Sequence, residues 1–428
     1  MLPLKRCATV QTGIAKGKDN EGKDTVAVSY LRVANVQDGH LRLDDVAVID
    51  VPLDALARYQ LQHGDVLMNE GGDADKLGRG CIWRGEIAEC IHQNHVFAVR
   101  PHAVSSEWLN WVTGSAYAQF YFMSRSKQST NLASISSNNI MDLPLVLPPP
   151  AEQTTVVAFL DRETAKIDAL IAEQEKLIAL LAEKRQATIS HAVTRGLNPN
   201  APMKDSGVPW LGEAPAHWDI RALRRVIAGI EQGWSPECHA READPNEWGV
   251  LKAGCLNGGV FRPLENKALP PDLSPESKYE VLVGDVLMSR ASGSPELVGS
   301  TALVTATRSG LMLSDKIFRL RLQDDMQPRY FVAAMGSVAL RAQIENALSG
   351  GNGMANNLPQ SSLLSFVMTV PPLGEQEAVA EFIEQELGRL DGLSVESERA
   401  IALLKERRSA LIAAAVTGQI DVRGAVAA

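Results

Sequence analysis

The chain has 428 residues, 45% of them hydrophobic and 22% charged, with a formal net charge of −9. That is an ordinary globular composition long enough for several structural units, and it contains no apolar run of roughly eighteen residues that would span a membrane. The acidic balance excludes a simple basic coat for nucleic acid but leaves room for local readout by a few Arg, Lys and Asn side chains.

The start, MLPLKRCATVQTG, has basic residues without an apolar stretch behind them, so we expect no secretory signal and a cytoplasmic location. The five cysteines, Cys7, Cys81, Cys90, Cys238 and Cys255, are odd in number and widely spaced. They indicate buried reduced thiols rather than a disulfide framework or a zinc site.

The first body covers residues 1–147. Its GIAKGKD stretch at 13–19 is one residue short of a P-loop and places Asp19 where Ser or Thr is needed. GDVLM at 64–68 reads as a Gly-Asp turn followed by a strand, and residues 81–100 have a β-rich pattern. Residues 106–125 read as helical, with Trp108, Leu109, Trp111, Tyr117 and Phe120 as packing residues. His92 and His95 lack the neighbouring ligands of a metal site, and Asp73 and Asp75 read as solvated turn residues.

The second piece, 148–197, opens PPPAEQ. Proline suits the start of a helix, and a first-turn carboxylate such as Glu152 suits its positive end. Apolar residues then recur at helical spacing: Leu160, Ile167, Leu170, Leu177 and Leu181. The linker GLNPNAPMKDSGVPWLGEAPAHWD at 196–219 follows, and Trp210 and Trp218 are expected to pin it to a surface.

The third piece, 198–370, holds this linker and a second body, in which GDVLM returns at 284–288. Residues 300–322 are β-rich. Residues 328–348 read as helical, packing through Tyr330, Phe331, Met335, Leu340 and Ile344. The last piece, 371–428, opens PPLGEQ and carries a second helical series: Ile383, Leu390, Leu393, Ile401, Leu404 and Leu411.

The chain therefore repeats itself. Residues 148–194 align without a gap to 371–417, with 22 of 47 positions identical. The match includes Glu152/Glu375, Gln153/Gln376 and Asp168/Asp391. Seven-residue steps at 160, 167, 174, 181 and at 383, 390, 397, 404 fit a heptad seam whose polar members are Gln174 and Ser397. Two equivalent long helices in one chain can pack antiparallel about a pseudo-twofold axis; the simpler alternative packs each helix on its own body. The expected class is α+β, with two mixed α/β bodies in tandem separated by two long helices.

Motifs of catalysis are missing from the sequence. There is no GxGxxG after a strand, no amino-methyltransferase tetrad, no HExxH and no GxSxG. This points to a binding protein with no catalytic residues and no metal ligands of its own.

The LPPPAEQ and VPPLGEQ boxes, the linker VPWLGEAPAHW and the two GDVLM strands together resemble the DNA-specificity subunits of Type I restriction–modification enzymes, over essentially the whole chain. The resemblance implies that each body is a target-recognition domain reading one half of a bipartite double-stranded DNA target. It implies an antiparallel coiled coil that spaces the readers and docks two methyltransferase subunits, with restriction subunits completing the enzyme. S-adenosylmethionine, ATP and magnesium would belong to those partners, and this chain would bind no cofactor.

Under that reading the loops beside the repeated strands are the candidate DNA contacts. In the first body these are Asn69, Lys76, Arg79, Lys127, Gln128 and Asn131. In the second they are Arg290, Ser292, Lys316, Asn352, Asn356 and Asn357. Arg suits guanine, and Asn and Gln suit adenine. Two rivals stay open at this point: a tandem coiled-coil scaffold that binds only protein, and an enzyme with an unfamiliar site.

Overall fold

The structure, a computed structural model, describes residues 1–16, 23–72, 77–129, 132–349 and 356–423. It divides into two compact units, Met1–Glu175 with Glu398–Ala428, and Lys176–Ser397. The boundaries run through both long helices, Pro150–Arg195 and Leu373–Val416. The compact units thus do not follow the sequence repeat: each combines a body with the start of one long helix and the end of the other.

The two units are built to one plan. In the first, a four-stranded antiparallel sheet runs in the order Ala8–Thr12, Val96–Pro101, Val66–Asn69, Gly80–Ile82. In the second, the order is Ile227–Gln232, Ile317–Leu322, Val286–Ser289, Thr301–Leu303. Each unit adds a three-stranded sheet of the same mixed pattern. Thr25–Leu31 pairs antiparallel with Ala47–Pro52 and parallel with Cys90–His92. Gly249–Leu251 pairs antiparallel with Asn266–Ala268 and parallel with Leu311–Met312.

The GDVLM motif holds the centre of each sheet. Gly64 and Gly284 turn with φ of +92° and +93°, a conformation glycine adopts without strain. The carboxylates that follow are buried. Asp65 accepts from Gln62 N–H at 2.8 Å and receives Arg100 through Nε at 2.7 Å and a terminal nitrogen at 2.8 Å. Asp285 accepts from Leu282 N–H at 3.0 Å and is met by Arg319 and Arg321, each at 3.1 Å. A buried carboxylate keeps its charge only with such partners. Val, Leu and Met of both copies then enter the core.

Each predicted body helix is a pair. Ser106–Thr113 and Ala116–Arg125 are separated at Gly114, and Pro328–Met335 and Val338–Ser349 at Gly336. Trp108, Leu109, Tyr330, Phe331, Met335, Leu340 and Ile344 are buried, and Trp111 and Tyr117 pack at the core edge. Phe120 is not a packing residue: it is 76% exposed. In the linker, Trp218 is fully buried and donates to Glu375 Oε2 at 2.8 Å, while Trp210 is 44% exposed.

The repeated Gln of the two proline boxes has a specific task. Gln153 is buried, accepts from Ser105 N–H at 3.1 Å and donates to Pro148 O at 2.9 Å. Gln376 is buried, accepts from Gln327 N–H at 2.8 Å and donates to Pro371 O at 2.8 Å and Asp325 O at 3.0 Å. Ser105 and Gln327 are the N-caps of the first body helices. Each Gln therefore ties the start of a long helix to the start of a body helix.

In the first unit, Val156, Phe159 and Leu160 share one core cluster with Ile412, Ala415 and Val416. In the second, Val379, Ala380 and Ile383 share one with Ala192 and Val193. Ion pairs set the register: Asp168 binds Arg408 at 2.8 and 3.2 Å in the first unit, and Arg185 binds Asp391 in the second. The offset of 223 that relates the repeated helices carries Asp168 onto Asp391 and Arg185 onto Arg408. One interaction is thus made twice, antiparallel each time.

The apolar stripe differs from the expected seam at three positions. Leu160, Ile167, Leu181, Ile383 and Leu390 are buried, and Ile401, Leu404 and Leu411 are partly so. Leu170, Leu177 and Leu393 face solvent. The second position of each heptad falls one residue later, at Thr164, Ile171 and Ile178 and at Leu387, Ser394 and Ile401, all wholly or partly buried. A stripe alternating in steps of three and four admits either choice until the neighbouring surface decides it.

Removal of Asp285 takes one carboxylate from Arg319, which is 2% exposed, while Glu231 stays 2.8 Å from its Nε. Asp285→Ala should cost about 3 kcal/mol of stability, the low end for breaking a buried pair, read as an earlier urea transition. Asp65→Ala should cost less, because Arg100 reaches solvent.

Candidate nucleic-acid interface

The residue after each GDVLM strand occupies the same backbone slot in both units. In the first, Glu70 N–H donates to His95 O at 2.9 Å, and Ile135 N–H donates to Glu70 O at 2.9 Å. In the second, Arg290 N–H donates to Lys316 O at 2.8 Å, and Leu358 N–H donates to Arg290 O at 2.9 Å. A short strand follows in each case. Gly71–Gly72 pairs with Leu132–Ser134, which also pairs antiparallel with Lys127–Ser129. Ala291–Ser292 pairs with Asn356–Asn357.

This small sheet gathers most of the candidates. Lys127 and Gln128 are exposed on its outer strand in the first unit. In the second, Ser292 lies opposite Asn356 and Ala291 opposite Asn357. Arg290 immediately precedes them, and Lys316 is exposed beside it. Asn356 donates to Gly293 O at 3.2 Å, and Ser292 Oγ accepts from Ser294 N–H at 3.3 Å. The Arg290 guanidinium lies 5.7 Å from the Phe318 ring and donates to Asp315 O at 3.3 Å. Stacking and a hydrogen bond of this kind hold an Arg fork in one orientation.

Two candidates are engaged elsewhere. Asn69 is buried and donates to Val36 O at 2.9 Å. Arg79 lies across the backbone from it, its Nε 3.9 Å from Asp38. Lys76, Asn131 and Asn352 lie outside the described residues, as do Asp73 and Asp75.

Sequence reading passed over Glu70 and considered His95 only as a metal ligand. His95 Nδ1 is 2.6 Å from Glu70 Oε2, and Asn94 Nδ2 is 3.3 Å from His95 Nε2. Alignment of GDVLMNE with GDVLMSR, which sets Glu70 opposite Arg290, was the available signal. His92 is instead a core residue with Nδ1 2.7 Å from Val96 O, and burial pushes its pKa down. Among the described residues no group of three or more His, Cys, Asp or Glu could hold a metal ion. No described helix is long and apolar enough to cross a membrane. Burial raises the thiols of Cys81, Cys90 and Cys255 to about 12.

No family model matches the chain. The Type I restriction enzyme EcoEI specificity subunit of Escherichia coli is 34% identical over 212 residues, a stretch covering 49% of this chain and 35% of that protein. The match thus spans about a third of that relative's length. The Type I restriction enzyme EcoKI specificity subunit of Escherichia coli strain K12 is 23% identical over 441 residues, covering 99% of this chain and 89% of that protein. Over nearly its whole length the chain is thus similar to a Type I restriction enzyme specificity subunit. A chain solved in work on complex assembly and conformational transition of the type I R-M system shares the fold. Its TM-score is 0.66 at 16% identity, covering 98% of this chain and 97% of that one. The mixed helix and strand architecture is therefore the fold of that chain.

The candidates should separate by stability. Lys127→Ala, Gln128→Ala and Asn357→Ala should change it by less than about 0.5 kcal/mol, as exposed substitutions do. Asn69→Ala should cost about 1–3 kcal/mol by leaving Val36 O unpaired. Thermal melts of the four variants test the division.

Proposed function

We propose that this chain is the DNA-specificity subunit of a Type I restriction–modification complex and is itself non-catalytic. Each body reads one half of a bipartite double-stranded target. The observation that carries this reading is the small polar sheet, built in the same backbone slot of two units of one topology and bearing different side chains in each. A scaffold that binds only protein would not need Arg, Lys, Asn and Gln at that edge.

The two long helices act as an antiparallel coiled coil that spaces the readers and docks two methyltransferase subunits; restriction subunits complete the assembly. The repeated Asp–Arg pairs support that pairing, although exposed ion pairs contribute register more than stability. Readers related by a pseudo-twofold suit half-sites about one helical turn apart, ~34–36 Å. S-adenosylmethionine belongs to the methyltransferase partners, and ATP and magnesium to the restriction partners. A net charge of −9 fits a subunit that depends on its partners for much of the phosphate attraction.

Co-expression with a methyltransferase subunit encoded beside it, in an unmethylated host, should yield a split motif with one methylated adenine in each half, on opposite strands. A stable complex that adds no methylation would sink the proposal in favour of the scaffold. In the second half-site, Arg290→Ala should relax one position and cost about 1–3 kcal/mol of discrimination, measured by competition between duplexes. Leu181→Asp with Leu404→Asp should abolish assembly with the methyltransferase, read by size-exclusion chromatography.

A further inference from the structure

The two readers share a backbone slot but fill it with opposite charges. Position 290 is Arg, backed by Lys316; position 70 is Glu, backed by His95. The equivalence rests on the geometry as well as on the alignment. In each unit the slot residue's N–H donates to the carbonyl of the residue backing it, at 2.9 Å for Glu70 and 2.8 Å for Arg290. In each, its carbonyl accepts at 2.9 Å from a residue just beyond the small sheet, Ile135 or Leu358. The strand before it is GDVLM in both, and the strand opposite places Phe97 across from Met68 and Phe318 across from Met288.

The Glu70 carboxylate is held rather than loose. Its side chain is 28% exposed, and His95 Nδ1 lies 2.6 Å from Oε2. Asn94 Nδ2 lies 3.3 Å from the other ring nitrogen, Nε2. The contact with His95 thus fixes the position of Glu70 Oε2.

We infer that Glu70 is the specificity-determining residue of the first reader and that His95 is its positioning residue. The base it selects presents an amino group, cytosine through N4. This inference rests on the DNA-reading assignment above. A carboxylate offers only acceptors, so it pairs with an amino donor and repels the O6 and N7 acceptors of guanine. Arg290, in the same slot of the second reader, offers only donors and selects guanine. The two half-sites therefore differ in sign at the position read from this slot: cytosine on the contacted strand in one half, guanine in the other.

The test uses the complete complex with its methyltransferase subunits, in two stages. The methylome of the wild-type complex first supplies the split motif. Duplexes carrying each base at each position of the first half-site are then competed against wild type, E70Q, E70R and H95A complexes, with thermal melts to confirm folding. For E70Q we expect preference for cytosine to fall about tenfold at a single position of that half, with the other half unchanged. E70R should turn the preference at that position towards guanine, and H95A should weaken it without redirecting it. Should the wild type methylate a split motif while E70Q and E70R keep every base preference, the assignment of Glu70 is overturned and the DNA-reading function stands. Should the wild type methylate no split motif, the function itself fails and this inference with it.

Discussion

A helix of 46 residues extends for about 70 Å at 1.5 Å per residue, farther than one small body can cover, and the rest of the structure answers to that length. Each unit takes the start of one long helix and the end of the other, and buries both in a single core cluster. The antiparallel ion pair made by Asp168 and Arg408 in one unit recurs as Arg185 and Asp391 in the other. The proline boxes set the helix starts: the buried amides of Gln153 and Gln376 bond to the N-caps of body helices. Helix direction is therefore linked by hydrogen bonds to the bodies that carry the polar sheets.

The same division of labour explains which letters repeat. Gly64 and Gly284 need positive φ, Asp65 and Asp285 need arginine partners, and the following Val, Leu and Met fill the core. Identity stops at the next residue, buried Asn69 or Ser289, and two residues beyond the motif the side chain leaves the core, with Glu70 in one copy and Arg290 in the other. Packing restricts the first set to a few residue types. A slot at the surface accepts any side chain that suits what it meets, so this is where two copies of one architecture can come to recognise different partners.

Much of this was legible in advance, for physical reasons that differ from place to place. The long helices showed in their proline starts and heptad steps, and the central strands in GDVLM. The body helices showed in their apolar spacing, although Gly114 and Gly336 divide each in two. Other positions were misread. Phe120 and Trp210 looked like packing residues but are exposed, because large apolar size does not say which side of an element has a neighbour. Leu170, Leu177 and Leu393 fit a helical stripe yet fall one residue off the buried one. Asn69 looked like a reader but spends its amide on Val36, a contact between residues 33 positions apart.

The sequence by itself determined the internal repeat, the two long helices, the mixed α and β bodies and the family resemblance. These rest on local propensity and on letters compared with letters. Only the tertiary structure decided that each compact unit joins the beginning of one helix to the end of the other, and that the two short strand pairs bring Lys127 and Gln128, or Ser292 and Asn356, to one sheet edge. It also decided that Glu70 and His95 stand where Arg290 and Lys316 do. Those facts depend on backbone hydrogen bonds between segments tens of residues apart, whose partners are set only when the chain closes on itself.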